Sequence, residues 1–115
     1  MKYKHEVIFC IVNSGYSEAV MNAAKKIGAK GGTVINAFGT AAKEAETFFH
    51  ITIQPEKEIV MILVPKEIKD GVLHALYNEV GLETAGQGIA FSVPVDNVVG
   101  LTNTTTNMPT KTEEK

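Results

Sequence analysis

The chain has 115 residues, 44% hydrophobic and 21% charged, with a formal net charge of −2. That is the composition of one globular domain around a single core, and it excludes a disordered or collagen-like chain. The acidic balance, with a pI near 5.9, excludes a general binder of phosphate backbones, and all 11 basic residues are lysines, which excludes two-point guanidinium recognition of phosphate or carboxylate.

Val7 to Val12 is a continuous apolar run, as in a central strand. Its single thiol, Cys10, is placed to pack, and a lone cysteine forms no disulfide within the chain. The run is too short for a signal segment or a membrane span, so a cytoplasmic protein is expected. Ser14 or Ser17 is the expected cap of the helix that follows, on which Val20, Met21, Ala24 and Ile27 recur at helical spacing and Gly28 supplies the stop. A glycine turn at Gly31-Gly32 then leads into a strand over Thr33 to Phe38.

Gly39 to Glu46 reads as an exposed excursion of mixed charge, and Phe48 to Pro55 alternates like a half-buried strand or the base of a long hairpin. Lys57 to Val64 is the third core strand. Pro65 opens a helix over Lys66 to Val80, with Ile68, Val72, Ala75, Leu76 and Val80 on one stripe and Gly81 at its end. Gly86-Gln87-Gly88 precedes a strand over Ile89 to Val95, where Pro94 marks an edge strand or the strand's end. Asn97 to Leu101 is a candidate short extra strand, and from Thr102 the chain is polar, aperiodic and read as flexible. The domain is thus expected over 1–101, with a tail over 102–115.

The pattern occurs twice. Glu6 to Val12 and Glu58 to Val64 lie 52 residues apart, and each is followed by a helix ending in glycine, a glycine-bearing loop and another strand. The order β-α-β-β-α-β gives an α+β, ferredoxin-like sandwich with both helices on one face of an antiparallel sheet and a long loop after the second strand. No further helix covers the other face, so subunits are expected to pack sheet against sheet around a symmetry axis. A loop this long in a compact domain points to function.

These residues resemble the PII signal-transduction proteins, the nitrogen regulatory group, and within it the divergent PII-like branch. The resemblance covers Val7 to Leu101 and rests on three stretches in order: GAKGGTVINAFGT from Gly28, EKEIVMILVP from Glu56, and TAGQGIAFSVPV from Thr84. It implies a homotrimer whose lateral clefts bind adenine nucleotide (ADP, AMP or ATP), and a long loop, Gly39 to Glu56, that contacts a regulated membrane transporter or metabolic enzyme. Carried over by position, Phe38, Gly39 and Thr40 begin that loop. Gly86, Gln87 and Gly88 form the phosphate-facing turn, with Thr84 near the adenine. Gly31, Gly32 and Thr33 come from a neighbouring subunit, and Ile62 with Leu63 lines the base pocket. Glycines suit such a site because bare backbone N–H groups can approach a diphosphate.

The chain departs from the family pattern where charge matters. Ile89 stands where a lysine usually follows the turn, Gly100 and Thr102 stand at the two arginines of the last strand, and Ala41 replaces the glutamine that helps hold metal and 2-oxoglutarate, although Lys57 matches the lysine reaching that ligand. Charge-assisted bonds contribute roughly 1.5–3 kcal/mol each, so ADP or AMP is favoured over ATP. The loop holds neither tyrosine nor serine, which leaves no acceptor for uridylylation or seryl phosphorylation.

His5, His50 and His74 show no metal-ligand spacing, and no metal is expected. An enzyme is not expected either: acylphosphatases of the same topology need an arginine, and no Ser-His-Asp or Cys-His arrangement stands out. RNA-binding proteins of this topology want aromatic central strands and a basic face. The alternative within the architecture is a structural or metal-tolerance trimer of the CutA kind, without a nucleotide site.

Overall fold

The computed structural model describes residues 3–40 and 55–100. Strand β1 (His5–Asn13) leads into helix α1 (Ser17–Ile27) and strand β2 (Thr33–Phe38); strand β3 (Glu56–Pro65), helix α2 (Lys66–Val80) and strand β4 (Ile89–Val95) repeat the unit. The strands form one sheet in the order β2-β3-β1-β4, antiparallel throughout, which is the ferredoxin-like arrangement. The two apolar runs are the central strands, and β4, which carries Pro94, is an edge where a missing N–H costs no ladder bond.

Alternation along the central strands decides which face each residue takes. Ile8, Cys10 and Val12 of β1 and Val60, Ile62 and Val64 of β3 are buried beneath the helices, where they meet Val20, Ala23 and Ala24 of α1 and Val72, Leu76 and Val80 of α2. Their neighbours Val7, Phe9, Ile11, Met61 and Leu63 point to the other face, which no helix covers among the described residues, and remain half-buried.

The two helices approach closely because Gly71 has no side chain; a Cβ there would lie 3.0 Å from Ile27 Cγ2. Gly28 ends α1 with φ 123°, a left-handed turn that glycine adopts without strain. Gly81 ends α2 for a different reason. Its backbone is extended, at φ −65°, and a Cβ would sit 2.5 Å from the Tyr77 carbonyl oxygen.

Two sequence expectations change here. No serine caps α1: Tyr16 occupies the cap position without a side-chain bond, and the Glu58 carboxylate accepts from the N–H groups of Gly15 (3.2 Å) and Ser17 (3.1 Å) instead. A long-range acid serves because β3 brings it to the positive end of the helix. Residues 97–100 form no strand; Leu101 lies outside the described residues, as do the tail from Thr102, most of the excursion after Thr40 and the strand-like stretch from Phe48 to Gln54.

Candidate functional site

One end of the sheet gathers most of the residues singled out from the sequence. There the ladder brings Asn13, the last residue of β1, opposite Lys57 of β3, and Phe38 of β2 opposite Glu56. Gly39 follows β2 directly, its N–H donating to the Pro55 carbonyl at 2.8 Å. The Lys57 stem runs along the backbone of Gly39, where a Cβ would lie 3.2 Å from Lys57 Cε. On the far side of β1 the Gly86-Gln87-Gly88 turn sits above the start of β4.

Asn13 joins the two halves. Its Oδ1 accepts from Lys57 Nζ at 2.8 Å, its Nδ2 donates to the Ala85 carbonyl at 3.0 Å and reaches Gln87 Oε1 at 3.5 Å, and its backbone N–H donates to the Gly86 carbonyl at 2.9 Å. The orientation of the amide is dictated by its partners, since an ammonium only donates and a carbonyl only accepts. Sequence reasoning missed Asn13. Its signal was a polar residue closing an apolar strand just before Ser14-Gly15, a pattern that equally marks an ordinary turn.

The turn is compact and internally bonded. Gln87 takes φ 49°, and the Gly86, Gln87 and Gly88 N–H groups donate to Thr84 Oγ1 (3.3 Å), the Thr84 carbonyl (3.0 Å) and the Val80 carbonyl (2.6 Å). Thr84 Oγ1 itself donates to the Gly81 carbonyl at 2.8 Å, and Gly81 bridges Gly88. Packing crowds the first flanking glycine and demands the second. A Cβ on Gly86 would meet Val80 and the Tyr16 ring at 3.3–3.4 Å, and one on Gly88 would come within 2.5 Å of the Val80 carbonyl oxygen. The picture of bare donors is thus modified: these N–H groups already have partners inside the turn, the longest at Gly86.

Gly31, Gly32 and Thr33 are not at this end. They enter the sheet beside Met61 on the β2 edge, whereas the turn belongs to the β4 edge, three interstrand spacings or roughly 14 Å away. Within one chain they do not share a site. Gly32 is explained locally, because a Cβ would lie 2.9 Å from Met21 Sδ and from the Met61 carbonyl oxygen; Gly31 meets nothing within 4 Å. Ile62 is wholly buried in the core, while Leu63, on the opposite face, lines a depression of about 280 Å³ with Gly31, Gly32 and Thr33. Of the pair expected to line a base pocket, Leu63 alone reaches a surface.

Two further depressions flank the gathered end. One of about 290 Å³ lies over Lys57, Phe38 and Ser14. The other, about 370 Å³ and mostly apolar, runs between α2 and the start of β4, with Gly88 and Ile89 on its wall and Tyr77 and Leu82 at its mouth. Cys10 lies at its floor, and burial pushes its thiol up to about 11. No group of three or more potential metal ligands occurs among the described residues.

The family model described as nitrogen regulatory protein P-II matches residues 5–104. Among solved structures, PII of Arabidopsis thaliana bound to citrate is 22% identical, with TM-score 0.67 over 89% of this chain and 87% of its own. The B. subtilis GlnK-ATP complex is 19% identical, with TM-score 0.68 over 94% of each chain. CPII of Thiomonas intermedia K12, a nitrogen regulatory PII-like protein bound to ADP, AMP and bicarbonate, is 15% identical, with TM-score 0.63 over 86% of this chain and 98% of its own. At these identities the likeness carries the fold. No curated protein sequence matches the chain.

Proposed function

The chain belongs to the nitrogen regulatory protein P-II family, and on that footing we propose that it is a cytoplasmic sensor that binds ADP or AMP, in preference to ATP, in clefts between three identical subunits. Occupancy biases the arrangement of the segment Gly39 to Glu56, and a transporter or enzyme of nitrogen or carbon metabolism reads it. The protein regulates and does not catalyse. Among the described residues no helix is long and apolar enough to cross a membrane.

One observation carries this reading. The Gly86-Gln87-Gly88 turn, the start of the segment at Gly39 and the cation Lys57 converge at one end of the sheet: Asn13 bonds the turn to Lys57, and the Lys57 stem packs on Gly39. The turn faces the phosphates with Thr84 near the adenine, Lys57 meets the phosphate charge, and Gly31 to Thr33 with Leu63 close the cleft from a neighbouring subunit. A Gly31 that its own chain does not require fits such a role. Ile89, Gly100 and Thr102, uncharged where the family pattern carries a lysine and two arginines, are the reason for favouring the shorter phosphates.

A second reading, a structural trimer without a nucleotide site, draws on the internal satisfaction of the turn's N–H groups. Thermal denaturation separates the two. By mass action, ADP or AMP at 100 times its Kd stabilises a sensor by about 2.7 kcal/mol and raises the melting temperature; a structural trimer melts at the same temperature with or without nucleotide.

A further inference from the structure

We propose that Asn13 is a positioning residue that yokes the phosphate turn to the base of the segment after β2, so that an anion drawn to Lys57 and a ligand on the turn sense each other through one amide. This rests on the nucleotide reading above. The path is continuous: the Gly39 backbone packs on the Lys57 stem, Lys57 Nζ donates to Asn13 Oδ1, and Asn13 Nδ2 holds the Ala85 carbonyl. Beside this, the Asn13 N–H holds the Gly86 carbonyl.

An amide suits these partners, because its oxygen accepts from an ammonium while its nitrogen donates to a carbonyl. A phosphate or carboxylate oxygen that draws Lys57 Nζ away releases Oδ1. The Asn13 side chain is then free to rotate, and Ala85 loses its donor. By linkage, a ligand that repositions the turn alters the hold on Lys57 to the same extent. The β1–β3 ladder fixes Asn13 opposite Lys57, so the geometry of this yoke is set by the sheet rather than by the loops it connects.

The substitutions separate the two halves. Asn13→Ala removes both, whereas Asn13→Asp keeps an acceptor for Lys57 and sets a second acceptor against the Ala85 carbonyl. ADP titration calorimetry on the full chain is expected to show roughly five- to tenfold weaker binding for Asn13→Ala, Asn13→Asp and Lys57→Met. The Asn13→Ala/Lys57→Met double variant is expected to bind no more weakly than the weaker single variant. A double variant whose loss equals the product of the single losses overturns the yoke.

Hydrogen exchange of the Gly86 and Gln87 amides, followed by NMR without nucleotide, provides the arm that does not depend on ligand. Lys57→Met is expected to speed both several-fold, while Lys25→Met on α1 leaves them unchanged. Unchanged exchange in Lys57→Met overturns the proposal even if ADP binds. If the wild-type chain binds no ADP, the nucleotide reading falls, and the exchange result alone decides whether Asn13 couples Lys57 to the turn.

Discussion

The rings of Phe9 and Phe91 stack at a centroid distance of 5.4 Å, with 29° between their planes, on the face of the sheet opposite the helices. They are directly paired across β1 and β4, and around them Ile35, Ile89 and Val93 are each 42–54% exposed. A sheet face this apolar is the signature of an interface. In sedimentation or light scattering the protein is expected at three times its 12.4 kDa chain mass. Phe91→Asp, which sets a charge at the centre of the patch, is expected to shift it toward the single chain; a wild-type monomer contradicts the assembly.

Glu58 does the work expected of a serine. Its carboxylate receives two N–H groups at the start of α1, so Glu58→Ala is expected to cost about 1 kcal/mol in urea denaturation, as loss of a helix cap does. Glu58→Gln keeps an acceptor and loses only the charge at the helix N-terminus, so a smaller loss is expected. Equal stability for Glu58→Ala and wild type contradicts the capping role.

Packing requires Gly88 and leaves Gly31 free. Gly88→Ala drives a Cβ to 2.5 Å from the Val80 carbonyl oxygen and 2.9 Å from Val12 Cγ1, and a loss of about 1–3 kcal/mol is expected, typical of overpacking. Gly31→Ala meets open space, and the single chain should fold as before. Any loss of nucleotide affinity in Gly31→Ala, with an unchanged melting temperature, then reports a neighbouring subunit's contact rather than damage to the fold.

Cys10 gives a pH dependence of known sign. Burial raises its thiol from 9.0 to about 11, so between those values the unfolded chain sheds a proton that the folded chain keeps. Stability from this group is complete below about pH 9 and is lost as pH rises through about 11. Urea midpoints measured from pH 8 to 10.5 should fall more steeply for wild type than for Cys10→Ala. At pH 8 the native thiol should resist a disulfide reagent and react only on unfolding.

Much of this architecture is visible in the residues themselves, because its signals are local. Thr33 to Phe38, Lys66 to Val80 and Ile89 to Val95 are the observed elements to the residue, each bounded by glycine or proline. The 52-residue repeat equates Phe9 with Met61, and those two residues pair across the central strands. Long-range polar contacts are different. Nothing in the spacing of Asn13, Lys57 and Ala85 along the chain announces that one amide bonds both, or that Glu58 reaches back to Ser17. The resemblance likewise named Ile62 and Leu63 together, while alternation in β3 sends them to opposite faces.

We propose that the rim formed by Lys57, Asn13 and the Gly86-Gln87-Gly88 turn belongs to a nucleotide site completed by neighbouring subunits. Isothermal titration of the purified protein with ADP, AMP and ATP tests it most directly. Saturable binding at one nucleotide per chain is expected, with ADP or AMP tighter than ATP and with Lys57→Met weakening all three. No heat from any of them at millimolar concentration contradicts the account.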